Sequence, residues 1–366
     1  MADKVETAPD GVSLTPGGPG PTKLRAGAEF ETPPGLHPAG QLDARFPVAY
    51  EGSVPQAMAV AIAWMSALAR RDLAGMAAQM HFPFAIFEGT EPQEVASAEA
   101  FLANPPISLN VTGQGETQVQ PGSYDLLDRL ELQIFCPVAA GLTMSFTRYT
   151  EGGLKLCQCD GIFAVTNNDG RWAIELISTI YTPTAEIGLT YNDVAEASLR
   201  RGRDWMLGYT LRDQALLNST RKPGRSANIT IYGPRERAGN ARAGNPMGGY
   251  VTKGVKSRLR LATVTAEAIE RADANFPEFS AWAGGAVGEW DYTMNLPQAR
   301  VLHATVNKAH TLGGYIRYTK DHTEISETRG LSVLVYRNNT WSTAGGMGNV
   351  LLQHDRTNSV GKTPAK

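Results

Sequence analysis

Few residues in this chain could carry proton-transfer chemistry, and they are scattered. His81 opens the run His81-Phe82-Pro83-Phe84-Ala85-Ile86-Phe87. An imidazole titrates near neutrality, so His81 could serve as a general base or as a hydrogen-bonded structural histidine. His303 stands among apolar neighbours in Val301-Leu302-His303-Ala304, which suits a pocket. His310 follows seven residues later, and on one unbroken strand the two rings would face opposite ways, so their spacing makes no metal pair. Asp291 lies in Glu289-Trp290-Asp291-Tyr292-Thr293, a strand with few other reasons to hold an acid. Tyr124 heads a first-half strand with Asp125 and Asp128, and the two acids read as a solvated turn. Glu327 interrupts Ile325-Ser326-Glu327-Thr328, while Arg317 and Tyr318 lie on the preceding strand. A cross-strand Arg–Glu or Tyr–Glu contact is the plain expectation there. Histidines and carboxylates beside Tyr and Arg suit acid–base catalysis in which Tyr or Arg stabilises developing negative charge.

Other chemistries lack their signatures. The chain has no Walker loop, no dinucleotide Gly fingerprint leading a βαβ unit, no zinc-type Cys/His spacing and no Gly-x-Ser-x-Gly elbow. The net charge of -2 gives no global reason to expect nucleic acid or an anionic membrane as partner. No apolar run approaches the ~18 residues of a membrane span. The start, Met1-Ala2-Asp3-Lys4-Val5-Glu6, has neither the basic nor the apolar region of a secretory signal. Three cysteines, an odd number, argue against a disulfide framework, and a reduced, cytoplasmic setting is expected. Cys157 and Cys159 share one face of a predicted strand and read as packing residues.

These residues sit on a sequence that repeats itself. Arg148-Tyr149-Thr150, Gly161 and Trp172 recur as Arg317-Tyr318-Thr319, Gly330 and Trp341 at identical intervals. Trp64-Met65 stands before Arg71-Asp72 as Trp205-Met206 stands before Arg212-Asp213. Arg148, Arg317 and the two tryptophans therefore read first as structural, and the chain reads as one domain written twice.

The elements follow in the same order in both halves. Residues 1–52 are a Pro- and Gly-rich arm. Domain 1 spans 53–188. A helix begins at Ser53 and Pro55, and a second short helix follows Asp72. Strands are then expected near 81–87, 109–117, 127–138, 142–150, 156–166 and 172–181, with a short helix near Ala96–Leu102. Asn168-Asp169-Gly170 marks a tight hairpin, because Asp-Gly accepts the positive φ such turns demand. Domain 2 spans 189–353. Its expected elements are a helix from Asp193 to Tyr209 and strands at Lys256–Val264, Val287–Met294, Arg300–Asn307, Gly314–Thr319, Glu324–Tyr336 and Thr340–Gly345. A basic insertion is expected at 218–258, rich in Arg and including Arg237, and a loose tail at 354–366. Helices followed by an antiparallel sheet make each unit α+β.

Asn168-Asp169-Gly170-Arg171-Trp172 and the run from Asp72-Leu73 to His81-Phe82-Pro83 resemble the NTF2-like superfamily, SnoaL-like proteins in particular. The resemblance covers about 53–183 directly and 190–352 through the repeat. It implies two fused cones, each a strongly curved antiparallel sheet wrapped around helices with a mostly apolar pocket at the open end. It also implies acid–base catalysis of the lyase, dehydratase or isomerase kind on a small hydrophobic, aromatic or polycyclic metabolite, with no metal and no organic cofactor. Asp291, His303, His81, Tyr124 and Glu327 are then the candidate catalytic residues. Arg317, Tyr318, Trp290, Tyr292 and Arg237 are the candidate substrate contacts. Domain 2 is the expected site, and a homo-oligomer is a possible assembly. The alternative is a non-catalytic binding or scaffolding protein with degenerate cones.

Overall fold

The computed structural model describes residues 22–23, 53–106, 119–136, 139–187, 191–211, 213–220, 223–232, 256–267, 292–295, 299–318 and 324–352. In the first half, α1 (Ser53–Ala69) carries Ala57, Ala61, Trp64, Met65 and Leu68 on its buried side. Asp72 caps α2 (Leu73–Ala78) by accepting the Gly75 amide at 2.7 Å, which satisfies one orphan donor of the first turn. Then come β2 (Met80–Phe87), β3 (Gln93–Val95), α3 (Ala98–Ala103), β4 (Tyr124–Cys136), β5 (Ala139–Tyr149), β6 (Lys155–Asn168) and β7 (Arg171–Pro183). With β1 (Thr22–Lys23) on its edge, this sheet has the order β1-β4-β5-β6-β7-β2-β3.

The second half repeats the plan. It contains α4 (Asn192–Leu211), α5 (Gln214–Ser219), β8 (Gly224–Tyr232), β9 (Lys256–Val264), β10 (Tyr292–Asn295), β11 (Arg300–Ala304), β12 (Lys308–Tyr318), β13 (Glu324–Arg337) and β14 (Thr340–Leu352). The sheet runs β10-β12-β13-β14-β8-β9, with β11 also paired to β12. Asp213 caps α5 through the Leu216 amide, as Asp72 caps α2. Strand registers agree too. Ser145 faces Asp160 where Gly314 faces Arg329, and Trp172 faces Asn167 where Trp341 faces Tyr336. Bulges fall at equivalent places, leaving Leu156 and Ile325 unpaired in one pair of hairpins and Glu175 and Ala344 in the other. A bulge bends its strand, so matched bulges give both sheets their curvature at the same points. The last hairpins turn through Asp169-Gly170 and Asn338-Asn339, all four at positive φ.

One expectation changes here. The segment 218–258, expected as an insertion, supplies β8 and the start of β9, which take the places of β2 and β3 in the second sheet. β8 pairs in parallel with β14 as β2 pairs with β7. Ile229-Thr230-Ile231-Tyr232 forms the end of β8. Arg237 and the expected strand at Leu109–Thr117 lie outside the described residues.

The two sheets pack back to back. Helix α1 lies against one face of the first sheet, with Trp64 edge-on to Phe163 at 5.5 Å between ring centroids. The other face meets the second sheet, and one continuous core runs from Ile134, Ile162 and Leu176 to Leu312, Leu331, Val333 and Met347. Gly141 permits this approach: a Cβ there would lie 2.6 Å from Leu331 Cδ1.

Asp125 and Asp128 both lie on strand β4 and not in a turn; Asp128 is exposed at a bulge, and Asp125 alone is removed from solvent. The Asp125 side chain is fully buried, accepting from Arg148 Nε at 2.8 Å and from Arg71 Nη1 at 2.5 Å. Arg71 also donates to the Leu68 and Ser123 carbonyls, so it ties the end of α1 to the start of β4. Arg148 has no exposed surface, and a buried guanidinium needs its counter-ion. Burial disfavours its charge, but the hydrogen bonds it donates to Asp125, with the charge of that carboxylate, outweigh this and hold the guanidinium protonated. Asp125→Ala should therefore cost ~3–5 kcal/mol, because it strands a buried charge. A urea titration checks this, and Asp125→Asn should recover part of the loss.

Candidate functional site

The repeat allows the interiors of the two cones to be compared position by position. In the first, β5 and β6 turn Leu142, Met144, Phe146 and Phe163 toward the helices, and all four are buried. Gly161 lies among them, and a Cβ added there would sit 2.8 Å from Phe163 Cε2. Below them, Arg148 lies 5.6 Å from the Tyr181 ring centroid and 5.9 Å from that of Phe146. Cys157 and Cys159 are buried free thiols beside it, and burial pushes the Cys159 thiol well up. This cone is filled by its own side chains.

At the matching positions the second cone carries smaller residues. In the same register, Leu142 opposite Phe163 becomes Thr311 opposite Ser332, and Met144 opposite Gly161 becomes Gly313 opposite Gly330. A Cβ on Gly313 would find nothing closer than Ala299 Cβ at 3.9 Å. The described apolar cluster here is small: Ala309, Leu334 and Trp341 pack with Val194 and Ala197 of α4 and with Val301 and Ala304 of β11. At these three positions the layer presents two hydroxyl groups and a glycine where the first cone has a Leu, a Met and a Phe.

Most of the other residues singled out in the sequence do not meet in one place. Asp291, Trp290 and Arg237 lie outside the described residues. Tyr292 begins β10 opposite Tyr318, and Arg317 stands opposite Thr293 on the same pair. Glu327 is registered with Ile316, and Arg317 with Ser326, so Glu327 and Arg317 alternate to opposite faces of their hairpin. The expected Arg–Glu cross-strand contact is thus not set up by the register. Tyr124 stacks on Tyr149 at 5.4 Å, on the face of β4 opposite to Asp125. The half-buried His81 ring is bonded through Nε2 to the Thr166 carbonyl at 3.2 Å. Burial pushes its pKa down, against the opposing pull of that carbonyl and of Glu175.

The two histidines of the second half differ from expectation most. Thr305-Val306-Asn307 breaks the strand, so His303 and His310 stand directly opposite each other in the β11–β12 hairpin. Their rings share a face, edge to face at 5.7 Å. That face is turned to the first sheet, away from the second cone. His303 Nδ1 lies 3.4 Å from Asp160 Oδ1 on β6, and His310 Nε2 lies 2.8 Å from Ser178 Oγ on β7. Burial pushes both rings below their ordinary pKa, His310 furthest. An apolar neighbourhood in the sequence marked His303 as buried but could not say on which side of the sheet.

Thr311, Gly313 and Ser332 were missed as site residues, although the repeat carried the signal. Laying Leu142-Thr143-Met144 over Thr311-Leu312-Gly313 shows large residues replaced by small ones on one face only. Gly313→Met should change stability by less than ~1 kcal/mol, whereas Gly161→Met, which meets Phe163, should cost ~1–3 kcal/mol. Thermal unfolding of the two variants distinguishes an open cone from a filled one.

No protein-family model matches the sequence, and no curated protein matches it. Solved structures do resemble parts of the chain. An NTF2-like protein of unknown function from Pseudomonas putida matches at 14% identity over 37% of this chain and 87% of its own, with a TM-score of 0.28. The hexachlorocyclohexane dehydrochlorinase LinA-type3 from Novosphingobium barchaimii matches at 14% identity over 39% and 97%, TM-score 0.29. The association domain of C. elegans CaMKII matches at 12% identity over 36% and 97%, TM-score 0.27. Each match covers about a third of this chain. Among the described residues, no helix is long and apolar enough to cross a membrane. By its own elements, bulges and registers, the chain is a tandem of two α+β units, each a bulged sheet with helices on one face, joined sheet to sheet.

Proposed function

We propose that the second cone takes a small, mainly apolar ligand, and that the chain acts on it as a cofactor-independent lyase, dehydratase or isomerase. The observation that carries this reading is the register-matched exchange of Leu142, Met144 and Phe163 for Thr311, Gly313 and Ser332. A concave, largely apolar site with a few polar groups orients an aromatic or polycyclic molecule. Asp291 precedes Thr293 by two residues, so on a continued strand it belongs to the face that carries Thr293 opposite Arg317. In that role Asp291 takes the proton, and Arg317 stabilises the negative charge that develops. Arg237 is a candidate cation for an acidic substituent, whereas Tyr292, Tyr318 and Glu327 hold register positions that alternate with Arg317 and so, with Trp290 beside Asp291, gain no support for this site. Of the residues first considered, His303, His81 and Tyr124 gain no support for this site, because none is placed toward the second cone.

A second reading, non-catalytic binding by the same cone, is favoured by one observation. His303, the strongest candidate proton carrier among the histidines, is held in the seam by Asp160. The two readings separate experimentally. The pair Gly313→Leu and Ser332→Phe should abolish ligand binding in calorimetry while the fold survives. Asp291→Asn should lower turnover by ~10²-fold or more with binding retained. Turnover within a few-fold of wild type would leave only the binding function.

A further inference from the structure

The seam between the sheets holds three buried bases that neither cone uses. Lys308 is 3% exposed, and its ammonium donates to the carbonyls of Phe87 at 2.6 Å and Thr179 at 2.9 Å, both in the first sheet. His310 is fully buried, and His303 nearly so. Their hydrogen-bond inventory is incomplete. His310 uses Nε2 on Ser178, and its Nδ1 is buried with no partner; His303 has Asp160 near Nδ1, and its Nε2 is buried with no partner. A neutral imidazole tolerates one bare nitrogen as an unused acceptor. An imidazolium has two N–H donors, and a buried unsatisfied donor beside a desolvated charge is expensive.

The surroundings set the sign. His310 faces Ser178 from β7, His303 from β11 and Lys308 from its own strand. It therefore sees two further bases and no carboxylate, and burial followed by those charges lowers its pKa well below the ordinary value. His303 faces Asp160 from β6, Arg129 from β4 and His310 from β12. Asp160 is already engaged by the Ser145 hydroxyl and by Gln158. Lys308 faces the carbonyls of β2 and β7, with Glu88 and the Cys159 thiol further off, and burial pulls its pKa to about 7. As pH falls through about 7, Lys308 gains its charge in the folded state. Each imidazole that then protonates adds a like charge to the same dry layer.

We propose that the seam is an acid-sensitive clasp: it is closed while His303 and His310 are neutral, and acid loosens the two sheets from each other before either half unfolds. The bases all belong to β11 and β12, and their partners all belong to the first sheet, so charging them acts on the joint between the halves. A base whose folded pKa is lowered destabilises the closed form as pH falls through its unfolded value, which for histidine is about 6.5. The opening equilibrium should then grow by up to about tenfold per pH unit for each proton excluded from the closed seam.

The test uses the full chain and the variant His303→Gln/His310→Gln, in which an amide keeps polar groups at both places without titrating. Hydrogen exchange is followed from pH 7.5 to pH 5 and corrected for its intrinsic pH dependence. In the wild type, amides of β7 and β12 should lose at least tenfold in protection while those of α1 hold. In the variant, that loss should shrink by at least half. Equal losses in variant and wild type, or simultaneous loss across the seam and α1, would overturn the proposal. Should the variant fail to fold, the wild type alone decides: seam and α1 losing protection together sinks the clasp, and seam-first loss below pH 6.5 upholds it.

Discussion

Back-to-back packing of two curved sheets is the constraint on which the rest depends. Each sheet has two faces to cover. The helices cover one, and the other would present Ile162, Leu176, Leu331 and Met347 to water if the halves were apart. Closing the seam removes that surface, and Gly141 lets the strands approach closely enough for Leu331 to fill the gap. Polar groups then fix the relative position of the halves, which apolar contact alone does not. The bulged Glu175 reaches across to accept the Leu259 amide of edge strand β9 at 2.8 Å, satisfying a donor that the sheet leaves unpaired. Glu91 takes Arg337 at 2.7 Å and the Arg225 amide at 2.8 Å at the rim. These directional bonds, with Lys308 on two carbonyls, specify one docking of the sheets.

With the seam bearing the joint, the two cones are free to differ. The first is consolidated from within: aromatic and aliphatic side chains fill it, and the Arg71–Asp125–Arg148 cluster ties helix end to sheet. The second keeps the backbone plan, the capped short helix, the bulges and the closing hairpin, but carries Thr311, Gly313 and Ser332 where the first has Leu142, Met144 and Phe163. At the register position of Asp125 it has Thr293, so the buried ion pair of the first cone is not repeated there. A duplicated fold can hold one copy for stability and leave the other to bind, because the shared core already anchors both.

The repeat, the α+β class, the capping Asp residues and the tight hairpins were legible in the sequence because each is local. Asp72 and Asp213 announce helix starts through their own side chains, and Asp169-Gly170 announces a turn through its tolerance of positive φ. The doubled Arg-Tyr-Thr, Gly and Trp pattern survives because the same hairpin geometry is needed twice. The exchange at Thr311, Gly313 and Ser332 was also written in the sequence, as small residues standing where the first half has large ones.

What only the tertiary structure decided is which face each polar residue occupies. Alternation tells which residues share a face, but not whether that face meets a helix, water or a second sheet. His303 and its apolar neighbours read alike for a pocket and for a seam, and only docking of the sheets turned it toward Asp160. A short turn at residues 305–307 reversed the relation of His303 to His310, which no spacing rule on a single strand could give. Asp125 looked solvated because an acid near a strand start usually is. It is buried because Arg148 and Arg71, far from it in sequence, need its charge. Local chemistry fixed the elements of this protein, and long-range packing fixed what their side chains confront.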